Sequence, residues 1–327
     1  MVRSLPKNFE EKDLHLFAND LVMVILVPQL NHLSNLIIDY NGNCFNLFSS
    51  VACNKLSISK EAKTRSALCI LKDFCKVCFR RKTIYVNNAG WVCDLWSQNY
   101  FHWFFDTLPK LIIMEMSFPN YSILIPENLY ENEFIQQSIL HFKLKFVILP
   151  SFNLVKAKHY IGVPNLSPSG NYIPMVISLL REKFSISCEK PFRKIFVIRE
   201  PHLKREIVNI NEVNTVLKKY SFEILSLNKI KLQEQIKIFS ETSLFIAVHG
   251  AALTNMLFMP KKSSVMELRR KDDASNNCYF SLASALEIPY YYQLCEVDNY
   301  TKPTQENNFK VCPIQLEKNI EQMLGLK

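Results

Sequence analysis

The stretch "FIAVHGAALTNMLFMP", residues 245–260, decides the fold. Its opening apolar run is too short for an ordinary helix and has no polar interruption, so it reads as a strand covered on both faces. The strand ends at His249-Gly250, small residues turn the chain, and "LTNMLFM" opens the next element, with Thr254 or Asn255 as candidate caps. Gly250, Ala251 and Ala252 have almost no side chain, so a ligand can approach their backbone. Free N–H groups at a helix start favour anions, phosphate above all. The alternative is a plain tight turn, since neither GxGxxG nor GxxxxGK[ST] is present.

Working outward, the same grammar repeats. "KIFVIRE" (194–200) is a strand, "INEVNTVLKKY" (210–220) a helix, "FEILSL" (222–227) a strand and "KLQEQIKIFSET" (231–242) a helix. After the central stretch come "SSVMELRR" (263–270), the helix "SNNCYFSLASALE" (275–287), the strand "PYYYQLCE" (289–296) and a last helix near 314–325. Apolar strands alternating with helices imply an α/β fold with a covered parallel sheet. Towards the N-terminus, "LVMVILV" (21–27) and "LSNLIIDYNGNCFNLF" (33–48) read as strands around an NGN turn. "KTIYVNNAGWVCDLWS" (82–97) reads as β structure broken at Gly90. A helix follows from about Tyr100 to Met116, with Pro109 as a kink or early stop. Strand, helix and strand then run through 121–151, "HYIGVP" (159–164) is a short strand, and 172–184 is helical. "SISCEKPF" (185–192) breaks the pattern, so the expected domains are 1–187 and 188–327.

The chain has 327 residues, is 48 % hydrophobic and carries a formal charge of +9, which allows two well-packed domains and excludes disorder. Residues 151–327 hold 24 Lys and Arg against 17 Asp and Glu, a surplus suited to anionic ligands or an anionic membrane surface. It is too diffuse for a nucleic-acid footprint. Ten cysteines form no compact disulfide framework; Cys75 and Cys78 make one CxxC without the second pair that zinc requires. We therefore expect reduced thiols and no metal. The N-terminus lacks the basic-then-apolar pattern of a signal peptide, and "LVMVILV" falls far short of the ~20 residues that span a bilayer. The expected place is the cytoplasm, with peripheral contact at the inner membrane face compatible with the basic surplus.

Three further features bear on chemistry. Arg199 ends a strand and Arg205 follows in "HLKRE", so both guanidinium groups belong at the sheet's carboxyl edge, where they can grip a diphosphate. Glu267 ends the strand after the central turn, where a carboxylate can accept hydrogen bonds from ribose hydroxyls. In "NYFHWFFDTLPKL" (99–111), His102 and Asp106 stand four apart on one helix face among aromatic rings. That pair is either a satisfied core contact or chemistry.

Together "NYFHWFFDTLPKL", "IFVIREPHLKREIVNINEV" and "VHGAALTNMLFMPKKSSVMEL" resemble, in that order, the blocks of glycosyltransferase family 61, over roughly residues 82–296. That family includes capsular-polysaccharide-type bacterial enzymes and eukaryotic N-acetylglucosaminyl- and pentosyltransferases. The resemblance implies a GT-B architecture, two Rossmann-like domains facing across a cleft. Residues 1–187 would take the acceptor and 188–327 the nucleotide sugar, the last helix packing back on the N-terminal domain. It implies inverting, metal-independent transfer from a nucleotide-diphosphate sugar, UDP favoured, to a glycan or lipid-linked glycan, in cell-surface polysaccharide biosynthesis (capsule or lipopolysaccharide), with no other cofactor. No DxD occurs in the sequence, so arginines and helix N-termini would neutralise the leaving diphosphate.

The donor residues would be Arg199, Arg205, His249, Gly250, Ala251, Ala252, Leu253, Thr254, Asn255 and Glu267. Asp106 would be the base, with His102 orienting it or touching acceptor or donor phosphate; the reverse assignment stays open, because imidazole needs no raised pKa to act near neutrality. Trp103, Asn99 and Tyr100 would line the acceptor side. The alternative is a non-catalytic nucleotide-sugar or glycan-binding relative; a nicotinamide oxidoreductase is disfavoured by the missing GxGxxG.

Overall fold

The structure is a computed structural model and describes residues 2–25, 28–46, 82–184, 190–199 and 204–326. Cys75 and Cys78 lie outside the described residues, as does part of "LVMVILV". Contacts divide the chain into two compact units, Leu26–Pro168 and Met1–Ile25 with Ser169–Lys327. Where the sequence pattern suggests a division at 187/188, the contacts group residues 1–25 with residues 169–327.

In the unit Leu26–Pro168, strands β1 (Asn31–Ile38), β2 (Cys44–Asn46), β3 (Thr83–Trp91), β4 (Ser122–Pro126), β5 (Lys145–Leu149) and β6 (Leu154–Gly162) form one sheet in the order β2-β1-β6-β3-β4-β5. β6, β3, β4 and β5 are mutually parallel, and β1 and β2 add an antiparallel hairpin. Asn41-Gly42-Asn43 makes the hairpin turn, with Asp39 accepting from the amides of Asn41 and Asn43. "LVMVILV" forms no strand over its described residues; only Val22 pairs, in an isolated bridge to Val2. Gly90 does not break β3. Its bare Cα lets Met114 and Ile123 close in, a Cβ there falling 2.6 Å from Met114 Cε and 2.9 Å from Ile123 Cδ1.

The helix after β3 comes in three consecutive pieces: α-helical Tyr100–His102, a π-helical turn Trp103–Thr107 and α-helical Leu108–Ser117. Pro109 is neither kink nor stop. It lies in the first turn of the last piece, where a missing N–H is tolerated.

In the other unit, β7 (Arg193–Val197), β8 (Glu223–Leu225), β9 (Thr242–Val248), β10 (Ser264–Arg270), β11 (Tyr290–Val297) and β12 (Phe309–Lys310) form a second sheet in the order β12-β11-β10-β9-β7-β8. All neighbours are parallel except the antiparallel edge strand β12, which the sequence pattern did not reveal. Read from β7, the order 2-1-3-4-5 is that of an open doubly wound sheet, whose winding reverses between β7 and β9. Phe196, Leu244, Ile246, Met266 and Leu268 pack on one face against Val213 and Leu217 of helix Ile210–Lys219 and Leu316 and Ile320 of helix Pro313–Met323. The last helix thus covers this sheet.

The reassigned segments are held by specific contacts. Phe17, fully buried, sits edge-on to Phe280 and Tyr292, each at 5.1 Å, and Arg269 lies over its ring. Tyr292 donates its hydroxyl to Asp13 at 2.6 Å, and Lys7 N donates to Tyr290 O at 2.8 Å. Helix Pro174–Lys183 is tied in through the Arg181 hydrogen bond to Met259 O and the Phe184–Phe258 ring contact. Truncating a fully buried phenylalanine costs about 3–5 kcal/mol, whereas an exposed side chain costs within about 0.5 kcal/mol. In urea unfolding Phe17→Ala should therefore lower the midpoint of the C-terminal unit clearly, and Phe152→Ala, whose ring is 74 % exposed, should not. An unmoved midpoint in Phe17→Ala would detach the first residues from this unit.

Candidate functional site

The winding reversal places the carboxyl ends of β7 and β9 side by side, the place where open α/β sheets bind ligands. Arg199 follows β7 and His249-Gly250 follow β9. Gly250 has φ +154, backbone that residues with a Cβ rarely adopt. The space a side chain would take is occupied: a Cβ at 250 would lie 2.7 Å from both Arg199 Nη2 and Arg205 Nη1. Arg205 itself adopts a left-handed conformation, φ +71, and its Nη1 donates to His249 O at 3.0 Å. Its loop is pinned by Glu206 N donating to Asn308 Oδ1 and by Phe309 N donating to Glu206 O.

Two guanidinium groups therefore converge on one glycine, and among the described residues neither has a carboxylate partner. Burial, then the charge of Arg205, pushes Arg199 down to about 10, so it stays cationic at neutral pH. Burial lowers Arg205 as well, and its Nε is buried without a hydrogen-bond partner among the described residues. A pocket of about 190 Å³ opens here, lined by Arg199, Arg205, Glu206, Val197, Val248 and Ile210, the first residue of helix Ile210–Lys219. The turn Ala251–Phe258 is a 3-10 helix beginning directly after Gly250, and the amides of Ala251 and Ala252 donate to no acceptor among the described residues. This arrangement suits a multiply charged oxyanion such as a diphosphate.

Beside it, His249 is held from behind. Its Nδ1 meets Glu267 Oε1 at 2.5 Å, and Tyr290 donates its hydroxyl to Glu267 Oε2 at 2.6 Å. Burial opposes the Glu267 charge, but the neighbouring His249 imidazole, with Arg269 and the Tyr290 hydroxyl, holds the carboxyl below the usual carboxylate range. Glu267 is 0 % exposed with both oxygens engaged, so the expected ribose contact gives way to a different task, orienting the imidazole. Leu253, Thr254 and Asn255 are buried, and neither polar side chain caps a helix; Asn255 donates instead to Ala252 O. The pattern missed Tyr279, which stands edge-on to His249 at 5.1 Å and within electrostatic reach of both arginines. No spacing in the sequence marks it; only the packing of helix Cys278–Leu286 brings it there.

In the unit Leu26–Pro168, His102 Nδ1 lies 2.6 Å from Asp106 Oδ2. The imidazole is 25 % exposed and the carboxylate 7 %, so the dyad presents its histidine outward. The pair forms across the junction with the π turn, a wide turn often found at functional sites. Of the expected acceptor residues, Trp103 is withdrawn by its burial, while Asn99 is exposed and Tyr100 half-buried. Trp103 is fully buried and donates Nε1 to Ser138 Oγ at 2.8 Å; Asn99 caps the helix by accepting from Phe101 N; Tyr100 packs on Phe104 and Phe134. Two aromatic rings flank His102: the buried Phe101, edge-on at 5.1 Å, and the exposed Trp96, its ring centre 5.6 Å away.

A sequence model described as Glycosyltransferase 61 matches residues 100–266, just over half of the chain and a span that contains the dyad, both arginines and the Gly250 turn. The chain belongs to glycosyltransferase family 61. This family-61 chain is also similar to proteins named EGF domain-specific O-linked N-acetylglucosamine transferase: 36 % identical over 91 residues in Rattus norvegicus, 35 % over 99 in Xenopus laevis and 32 % over 89 in Drosophila melanogaster. These matches cover 26 %, 30 % and 26 % of the chain in that order, and 17 % of each relative's length.

The arginine cluster of the family-61 chain has three measurable consequences. Inorganic pyrophosphate should bind and stabilise the protein, by about 2.7 kcal/mol at a hundred times its Kd. A charge-assisted hydrogen bond is worth about 1.5–3 kcal/mol, so Arg199→Ala and Arg205→Ala should each weaken binding by roughly 10- to 150-fold in calorimetry. Gly250→Ala should lose binding too and destabilise the protein by about 1–3 kcal/mol, from backbone strain and displacement of both guanidinium groups. Full pyrophosphate affinity in Gly250→Ala would refute this geometry.

Proposed function

We propose that the chain transfers a sugar from a nucleotide-diphosphate donor, UDP-sugar favoured, to a hydroxyl of a glycan or lipid-linked glycan, with inversion and without a metal, in cell-surface polysaccharide biosynthesis. The observation that carries this is the convergence of Arg199 and Arg205 on Gly250, neither guanidinium ion-paired to a carboxylate among the described residues. The departing diphosphate gains charge as the glycosidic bond breaks, and fixed guanidinium groups stabilise that charge without reorganising. His249, oriented by Glu267, adds a donor toward a phosphate oxygen or sugar hydroxyl. Family membership supports sugar transfer as the reaction class. The GT-B arrangement, with the sheet of β7–β12 on the donor side and that of β1–β6 on the acceptor side, is part of the same proposal.

Direct displacement at the anomeric carbon needs a base for the acceptor hydroxyl. The His102–Asp106 geometry favours the imidazole in that role. In this role Nδ1–H donates a hydrogen bond to Asp106 Oδ2, which puts the lone pair on Nε2, and the carboxylate stabilises the imidazolium formed when the hydroxyl proton is taken. The hydroxyl oxygen then bonds to the anomeric carbon, and the nucleotide diphosphate leaves with the electron pair of the broken bond. This inverts the pairing of roles favoured from sequence, because the carboxylate is the more deeply buried partner.

Thermal-shift screening with UDP-, GDP- and CMP-sugars and NAD, with and without EDTA, tests the donor reading. A nucleotide-diphosphate sugar should stabilise the protein equally in both conditions. A shift with NAD alone, or one abolished by EDTA, would overturn it. His102→Ala and Asp106→Asn should bind that donor normally yet transfer about 10²- to 10⁴-fold more slowly, the usual range for losing acid–base catalysis. Near-normal transfer in both variants would remove the dyad from the chemistry, and retained anomeric configuration in the product would refute inversion.

A further inference from the structure

The geometry points to Trp96 as an acceptor subsite: a platform on which one pyranose ring of the acceptor stacks, presenting its hydroxyl to His102. This rests on the transfer reading above and names what would be received beside the part-exposed imidazole. Of the three tryptophans, Trp91 and Trp103 are buried, while Trp96 is 59 % exposed and follows Leu95, 72 % exposed. A single exposed apolar residue is ordinary; what distinguishes this one is its mounting and its neighbour.

The mount is rigid. Asp94 Oδ1 accepts from Trp96 N at 2.9 Å, and Trp96 O accepts from Asn99 N at 2.8 Å, so the backbone on both sides is fixed. Asp94 N donates to Ser97 Oγ at 2.9 Å, and that fully buried serine shares a 2.8 Å hydrogen bond with Thr107 of the π turn. Lys110, also buried, donates to Val92 O at 3.0 Å and to Asp94 Oδ2 at 3.3 Å. The turn bearing Trp96 and the helix bearing the dyad are thereby one piece. The indole ring lies 5.6 Å from the His102 ring and is tilted 32° to it. Trp96 Nε1 donates to no acceptor among the described residues.

A ligand for this surface needs an apolar face for the indole and polar groups at its rim for the N–H and the imidazole. A pyranose has both: a flat patch of C–H bonds bordered by hydroxyl groups. Tryptophan, with an apolar body and a polar edge, suits such a partner. A ring seated on Trp96 would lie beside His102, so the platform orients the nucleophile as well as binding it.

Saturation-transfer NMR tests this on the full chain, with methyl glycosides of glucose, galactose, N-acetylglucosamine and xylose as probes, a Ser/Thr-containing peptide as a second arm, and pyrophosphate binding measured in parallel. At least one glycoside should receive saturation on the C–H protons of one face. Trp96→Ala should weaken that glycoside about tenfold, Trp96→Phe should keep most of the affinity, and both should bind pyrophosphate as the wild type does. The proposal is overturned if no glycoside receives saturation, if Trp96→Ala binds as tightly as wild type, or if only the peptide shows Trp96-dependent transfer. Loss of pyrophosphate binding by the wild type would strike the donor reading instead, and the glycoside arm would still decide Trp96.

Discussion

Two positive charges are held against a single glycine, and much of the C-terminal unit follows from that constraint. Guanidinium groups repel, and desolvating them together is unfavourable without a counter-charge. Arg199 and Arg205 nevertheless converge on Gly250, Arg205 in a left-handed backbone conformation and Gly250 in one that a side chain would disfavour. Strain and like-charge crowding in one place are expected where the surroundings are built for a ligand rather than for the empty protein. The doubly wound sheet supplies the location, because its reversal leaves the ends of β7 and β9 adjacent. The Arg205 loop is further tied to the edge strand β12, so the cluster is fixed by elements distant in sequence.

The carboxylate–imidazole pairs of the two units use the same device. In each, a buried carboxylate stands behind a histidine Nδ1: Glu267 behind His249 and Asp106 behind His102. Such a partner fixes the ring orientation and the tautomer. The difference lies in support. Glu267 also takes a hydrogen bond from Tyr290 in a sealed environment, whereas the Asp106 dyad sits on a π turn braced by Ser97, Thr107 and Lys110.

Much of this was legible in order along the chain. The NGN hairpin, the alternating strands and helices after residue 190, and the set Arg199, Arg205, His249 and Gly250 followed from apolar runs punctuated by small and charged residues. Errors fell where several residues of one type compete. In "NYFHWFFDTL" every ring satisfies a helical period, so nothing local says that Trp103 is core while Trp96, outside the helix, is exposed. Glu267 has the right strand end for a ribose contact, but the parallel register sets it between Ala247 and Tyr292, inside the sheet, where His249 and Tyr290 take both oxygens.

By itself the sequence determined an α/β chain with a parallel sheet, a glycine turn at a strand end and basic groups on neighbouring strand ends, because these depend on local period and residue size. Tertiary structure decided the strand order, the union of residues 1–25 with the C-terminal unit, the insertion of Tyr279 beside the arginines and the exposure of one tryptophan out of three. Those depend on which surfaces meet across long separations, and hydrophobic burial is non-directional. A pattern can therefore say that Phe17 must be covered, but only the folded chain shows that Phe280 and Tyr292 cover it.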